Sequence, residues 1–597
     1  MIRVRDLRVW YPLRKGLFGE LLGRKREWVR AVDEVSFDIR KGEVLCLVGE
    51  SGCGKTSTGR AILQLVEATG GDVFIEVPGA EFERFREASS NPQETGSEGI
   101  ADEIRRKYSI TWKETARWSV PEVYAFTAMA ETALVLALLV PAAVMGLVAD
   151  PFTSSWATLG FGLAVGAILG FVASVPPARP WRRSPMLLAL LSIVLVIFAG
   201  IPTFYFWGIA HGGLGSLGGS AIALPWERDL FAMLLSTGFA PIVAAGTSAL
   251  LFDIRQRTGG LGGIRMRGLR RRLQLIFQDP YESLNPKQSV YEIVAEPLLV
   301  NRITRNPEET TALVLAALRD AGLRPPQEFM FRFPHELSGG QRQRVSIAAA
   351  LVLQPDFIVA DEPVSMLDVS IRTGILQLMM DLRASRGLTY LFITHDLSLA
   401  WIIADRIAVM YLGKVVELGT AEQVIGQPKH PYTRALISVV PSPDPRKKGE
   451  RIILKGERPD PVNIPTGCRF HPRCPMAFEP CGWNAAEVAD ELRAVASSGP
   501  WPALGEIAVT DPRAISIHPP PGASAQSTAE ALRAAIAQDR GTRLALKGVA
   551  DVVVRGDSVV VMLHEWSEPP LLELGPENMV ACHLVTPPGT EAAAVTA

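Results

Sequence analysis

The chain has 597 residues, with 61 basic against 62 acidic side chains and a formal net charge of −1. That length implies roughly three or four units rather than one, and the even charge leaves neither a global basic field for nucleic acid nor an acidic tail. Six cysteines are too few for a disulfide framework, and a hydrophobic fraction of 48% is high for a soluble enzyme, with the excess concentrated locally.

The N-terminus, Met1 to Lys15, is charged from Arg3 onward and has no apolar h-region. No cleaved secretory signal is expected, and the chain is expected to start in the cytoplasm. Val29 to Val48 reads as two short strands around a turn at Lys41-Gly42. The second, Glu43 to Val48, is the near-continuous apolar run of a buried parallel strand. It leads into Gly49-Glu50-Ser51-Gly52-Cys53-Gly54-Lys55-Thr56, and a helical pattern follows over Ser57–Val66. After the strand-like Gly71–Ile75, residues 79 to 121 are polar and read as a linker.

Four long apolar runs come next: Val123–Val148 (interrupted by Glu131), Trp156–Val175, Met186–Ala210 and Leu230–Phe252. Each is near or above the ~20 residues that a helix needs to cross a bilayer. The alternative is four buried helices of a soluble domain, but the charges favour the membrane. Asp150–Ser155 has no Lys or Arg and Gly212–Arg228 has only Arg228. The intervening loop carries Arg179, Arg182 and Arg183, and the exit carries Arg255, Arg257, Arg265 and Arg267. This alternation predicts four spans with both ends on the cytoplasmic side.

Beyond Gly263 the soluble pattern resumes, with a strand at Leu273–Phe277, a turn at Gln278-Asp279-Pro280, and helices over Glu308–Ala321 and Gly340–Leu353. Buried strands are expected at Phe357–Ala360 and Thr389–Ile393. Alternating strands and helices predict an α/β fold with a mostly parallel sheet covered on both faces.

Gly49 to Thr56 fits G-x-x-x-x-G-K-[ST] fully. Its glycines let backbone N–H groups close around phosphates at the positive end of the following helix. Lys55 supplies a charge to the β- and γ-phosphates, and the Thr56 hydroxyl is a candidate Mg²⁺ ligand. Asp361-Glu362 closes the strand Phe357–Ala360, which makes Asp361 a candidate organiser of Mg²⁺ and Glu362 the candidate general base for an attacking water.

Leu337-Ser338-Gly339-Gly340-Gln341-Arg342-Gln343-Arg344 resembles the signature sequence of ABC ATPases. Gln278 is similar to their glutamine loop, Ser365-Met366-Leu367-Asp368 to their D-loop, and Ile393-Thr394-His395-Asp396 to their histidine switch. The resemblance covers roughly residues 1–78 and 263–440 and implies a P-loop ABC ATPase core. Two such domains would sandwich two ATPs, each site pairing one phosphate loop (Gly49 to Thr56, with Ser57) with the partner's Ser338, Gly339, Gly340 and Gln341. His395 would contact the γ-phosphate, and Gln278 would reach Mg²⁺ or the water. Tyr11 is the candidate for stacking on adenine, with Trp10 as its rival. Met366 stands where the family usually has Ala, a buried apolar exchange expected to leave activity intact.

Phe277 to Pro286, His430 to Leu436 and Gly467 to Pro475 resemble the oligopeptide and dipeptide importer branch. That branch implies a C-terminal extension with four cysteines holding a four-iron four-sulfur cluster. Cys468, Cys474 and Cys481 match as C-x5-C-x6-C, with Cys582 as the fourth. Four thiolates suit either an iron–sulfur cluster or zinc, with unligated thiols as the remaining alternative. About a hundred residues separate Cys481 from Cys582, where the branch has a short connection. Within them lie a Pro- and Ser-rich segment at Pro519–Ser527, a helix-like Ala529–Gln538 and strand-like Val552–Val554 and Ser558–Met562, read as a small α+β appendage.

The expected organisation is therefore 1–78 and 263–440 as the ATPase, interrupted by an insertion at 79–262 with four spans over 123–252. Residues 441–484 and 579–597 form the extension, interrupted by 485–578. The resemblance implies an ATP-hydrolysing subunit at the cell membrane, with its ATPase domain on the cytoplasmic side. It would work with two permease subunits, a second ABC ATPase (a copy or a paralogue) and an extracytoplasmic peptide-binding protein. The alternatives are a self-contained half-transporter and a membrane-tethered regulator.

Overall fold

The structure, a computed structural model, describes residues 1–13, 27–90, 97–111, 268–440, 451–454, 456–496 and 501–585. The chain divides into two units: Met1–Trp112 with Leu269–Ala597, and Lys113–Gly268. The second falls almost wholly outside the described residues, and the four expected spans over 123–252 lie there. Among the described residues no helix is long and apolar enough to cross a membrane.

In the first unit, β1 (Ile2–Pro12), β2 (Trp28–Ile39) and β4 (Gly70–Ile75) form an antiparallel sheet in the order β2-β1-β4. The expected strand pair around Lys41-Gly42 therefore exists, but not as a hairpin. The chain leaves β2 and enters β3 (Val44–Val48) in a different sheet.

That larger sheet runs β14-β15-β9-β8-β3-β7-β6-β5, with β5 at Leu273–Ile276, β6 at Phe357–Asp361, β7 at Thr389–Thr394, β8 at Arg406–Tyr411, β9 at Lys414–Thr420, β14 at Leu572–Gly575 and β15 at Asn578–Val580. The five residues of β3, the five of β6 and the six of β7 are all buried, as two-sided helical cover demands of apolar runs without alternation. β3, β7, β6 and β5 are parallel, with Val48 opposite Thr394 and Asp361 opposite Ile393. Parallel neighbours place their carboxyl ends on one edge, so the loops after all four strands open at the same crevice.

The expected linker at 79–121 is corrected in its first part. Gly79–Ser90 and Ser97–Tyr108 are helices. Phe82, Phe85, Ala88, Ala101 and Ile104 are buried around Phe74 of β4, with the Phe74 and Phe85 rings 4.8 Å apart. Only one face of each helix is apolar, and the polar remainder is what made the sequence look like a tether.

The appendage is α+β as expected. β10 (Ile507–Asp511), β11 (Ala514–Ile517), β12 (Val549–Arg555) and β13 (Ser558–Leu563) form an antiparallel sheet in the order β10-β11-β13-β12, accompanied by the helices Ala485–Ala496 and Ala525–Asp539. β14 and β15 then return the chain to the main sheet, where Met579 and Val580 pair with Leu418 and Glu417.

Candidate functional site

The phosphate loop follows β3 and feeds the helix Lys55–Ile62, whose N-cap is Gly54 at φ 105°. A Cβ there would sit 2.1 Å from the Ala31 carbonyl oxygen, so the turn is open only to glycine. Lys55 is buried, and its Nζ donates to the carbonyls of Gly49 at 2.7 Å and Glu50 at 3.1 Å, closing the loop around its own cation.

Thr56 Oγ1 donates to Asp361 Oδ1 at 2.8 Å, joining the loop to the end of β6. Burial raises the Asp361 carboxyl above its ordinary value, against the Thr56 hydrogen bond and the Arg60 guanidinium 4.0 Å away. A divalent cation held there would favour the carboxylate. The next residue, Glu362, is held at φ 45°, an uncommon conformation outside glycine, with its amide donating to the Ile393 carbonyl. Glu362 Oε2 lies 3.3 Å from Gln278 Nε2, which donates to it, and 3.1 Å from His395 Nδ1. Glu362, Ser365, Arg372, Thr394, His395 and Asp396 line one cleft.

The structure thus brings together Lys55, Thr56, Asp361, Glu362, Gln278 and His395, drawn from the loops after β3, β5, β6 and β7. Ser338 caps the helix Gly339–Leu351, with its hydroxyl accepting from the Gln341 amide while the Gln341 side chain accepts from the Ser338 amide. Among the described residues no hydrogen bond or ion pair joins Ser338, Gly339, Gly340 or Gln341 to the phosphate loop. In one copy the signature stands apart from it.

Tyr11 is 39% exposed at the end of β1, with its hydroxyl 3.5 Å from Ser57 Oγ. Trp10 is engaged elsewhere: its indole N–H donates to Asp33 Oδ1 at 3.1 Å, and Arg30 lies over its ring. Tyr11 is thus the aromatic left available beside the loop. Met366 is 60% exposed, which corrects its expected burial.

Cys468, Cys474, Cys481 and Cys582 are all buried and none is in a disulfide. β15 brings Cys582 back despite the appendage, since the Ala581 amide donates to the Val416 carbonyl. The thiols lie close enough that the others act on Cys468, and burial pushes Cys474 up to about 12 and Cys481 up to about 11. No group of three or more His, Cys, Asp or Glu side chains among the described residues is placed to hold a metal ion. The expected iron–sulfur or zinc centre at these four cysteines is therefore not met by their arrangement.

Sequence reasoning missed a set of arginines. Arg473 Nη1 and Nη2 donate to Glu50 Oε2 at 2.9 Å and Oε1 at 3.2 Å. Arg469, 7% exposed, donates to Asp33 Oδ2 at 2.5 Å, the Leu412 carbonyl at 2.8 Å and Glu568 Oε1 at 3.1 Å. Arg458 Nη1 donates to the Ser51 carbonyl. The one available signal was that two of these arginines flank cysteines.

Two family models match the chain: ABC transporter over residues 32–133 and 246–365, and the C-terminal region of oligopeptide/dipeptide transporters over 416–481. A dipeptide transport ATP-binding protein, DppF of Haemophilus influenzae, is 51% identical over 215 residues, which are 36% of this chain and 65% of that protein. A Brucella ovis protein named for ATP-binding in peptide import is 47% identical over 230 residues, 38% of this chain and 72% of that protein. The matched stretch thus spans about two thirds of these relatives' length. A solved dimeric ATP-binding cassette with ADP and phosphate is 17% identical, covers 70% of this chain and 99% of its own, and has a TM-score of 0.36, too low to bear on the fold.

Proposed function

The chain belongs to the ATP-binding subunits of the oligopeptide/dipeptide ABC importers, and we propose that it hydrolyses ATP at Gly49–Thr56 to drive import of short peptides. The observation that carries this reading is Glu362 Oε2, which faces both Gln278 and His395 beside the Thr56–Asp361 link.

In this reading Lys55 exchanges its loop carbonyls for the β- and γ-phosphate oxygens, and the loop amides surround the remainder. Thr56, Asp361 and Gln278 would hold Mg²⁺, which when bound would neutralise charge developing on the phosphates. Mg²⁺ keeps several waters and needs few protein ligands, so this small oxygen set suits it. Glu362 takes a proton from water as its oxygen bonds to the γ-phosphorus. The bond to the β–γ bridging oxygen breaks, leaving ADP and phosphate. His395 and Gln278 hold the carboxylate and water in line. Tyr11 stacks on the base.

Ser338 opens a helix of thirteen residues whose N-terminal amides suit a γ-phosphate. In one copy it stands apart from the loop, so the site is completed by a second ATPase, a copy or a paralogue. Two permease subunits and an extracytoplasmic peptide-binding protein complete the transporter, with this chain on the cytoplasmic side of the membrane. The four apolar runs over 123–252 and their alternating arginines support an anchoring role for the insertion.

Affinity isolation of the tagged chain from detergent-extracted membranes, with mass spectrometry, tests the assembly. Recovery of two permeases, a second ATPase and a peptide-binding protein is the expected result. Recovery of this chain alone as a dimer overturns the importer assignment.

A further inference from the structure

The cysteine-bearing extension reaches the nucleotide site at both ends. At the phosphate end, Glu50 is held on three sides. Arg473 grips its carboxylate through both terminal nitrogens, its amide donates to Tyr432 Oη at 2.9 Å, and its carbonyl accepts from Lys55 Nζ. Arg473 is 11% exposed, and Phe470 packs against both Tyr411 and Tyr432 at 5.1 and 5.3 Å, so the grip is anchored in a buried aromatic cluster. At the base end, Arg469 holds Asp33, and Asp33 holds the indole of Trp10 next to Tyr11.

We propose that Arg473 is a positioning residue of the nucleotide site, which fixes the phosphate loop and cancels the charge of Glu50, making the extension a working part of the ATPase. This rests on the reading of Gly49–Thr56 as the ATP site. A carboxylate inside a loop that must receive a polyanion opposes binding by Coulomb repulsion, and more strongly where water is partly excluded. A bidentate guanidinium removes that charge and also fixes the side chain's direction, which a single ammonium does not. With Arg473 absent, Glu50 remains charged and free to turn toward the phosphates.

The test uses the full chain and MgATP, measuring equilibrium binding and steady-state turnover for R473A, R473K, E50Q and the double variant E50Q/R473A. The R473A variant is expected to raise the KM and Kd for MgATP about tenfold while kcat changes less than about threefold. In the double variant the unpaired charge is gone, and affinity returns to within about threefold of wild type. R473K keeps the charge without the fork and is expected to fall between wild type and R473A. A purely structural role lowers the melting temperature of R473A but gives no rescue by E50Q. Wild-type affinity in R473A, or no recovery in E50Q/R473A, overturns the proposal. Should R473A fail to fold, wild-type affinity in R473K overturns it equally. The variant K55A separates the two levels: MgATP binding unchanged in K55A means that the site itself is misplaced, whatever Arg473 does.

Discussion

His395 Nδ1 sits 3.1 Å from Glu362 Oε2, although the two residues are 33 positions apart and end different strands. The contact exists because β6 and β7 are parallel neighbours with Asp361 opposite Ile393, so the loops that follow them emerge side by side. The left-handed backbone of Glu362 then turns its carboxylate to the imidazole.

Removing that carboxylate isolates the chemical step. Glu362→Gln is expected to bind MgATP with an affinity within about threefold of wild type and to lose roughly 10²–10⁴-fold in turnover. Equilibrium binding and phosphate release on the same preparation check this, and undiminished hydrolysis removes Glu362 from the role of base.

In the proposed reading Asp361 is a ligand of Mg²⁺. Burial raises its carboxyl, and Mg²⁺ requires the carboxylate, so the Mg²⁺ concentration for half-maximal turnover is expected to climb as pH falls toward that raised value. Asp361→Asn is expected to raise the half-saturating Mg²⁺ about 10–100-fold and to flatten its pH dependence. Titration of Mg²⁺ at constant ATP over a pH series measures both. A pH-independent wild type contradicts the assignment.

The Arg469–Asp33 pair is buried on both sides, at 7% and 8% side-chain exposure. Burial alone would raise the Asp33 carboxyl, but the hydrogen bond and charge of Arg469, with Lys414 and Trp10, hold it below its ordinary value. A depressed carboxyl contributes stability that is present above its unfolded value, about 3.9, and lost as pH falls through the folded one. Arg469→Met strands the carboxylate and is expected to cost about 3–5 kcal/mol. Adding Asp33→Asn is expected to recover a large part of that loss. Chemical denaturation of the single and double variants decides; additive losses refute the pairing.

His430 is fully buried, and burial, with Arg434 adding to it, lowers its pKa from 6.5 to about 3. Between those values the unfolded chain binds the proton and the folded one does not. Stability therefore falls as pH drops from 6.5 toward 3, by up to about 1.4 kcal/mol per pH unit from this residue. Its Nδ1 accepts from the Tyr432 amide, a bond that an asparagine carbonyl can replace. His430→Asn is expected to lose less melting temperature than wild type between pH 6.5 and 4.5. Parallel profiles count against a neutral buried imidazole.

The residues of the phosphate loop were legible because their chemistry is local. A phosphate loop needs its glycines, Lys55 and Thr56 within eight successive positions, and buried parallel strands such as Val44–Val48 and Phe357–Asp361 announce themselves as unbroken apolar runs. Glu362 was read from its place at the end of a buried strand, Gln278 and His395 were named from family resemblance, and the order of the strands put both beside one oxygen of Glu362. The polar stretch after residue 79 hid two helices, because an amphipathic helix shows its apolar side only against a partner such as Phe74.

Partner choice at long range was beyond the sequence. Arg469 and Asp33 are 436 positions apart, and Arg473 and Glu50 are 423. No periodicity selects one carboxylate among 62 acidic residues. Folding selects it, because a buried guanidinium is tolerated only where a carboxylate is already fixed to meet it. The sequence by itself determined the local chemistry of the phosphate loop and the apolar strands. The tertiary structure decided which distant charges brace that chemistry, since electrostatic pairing depends on distance in space and on burial.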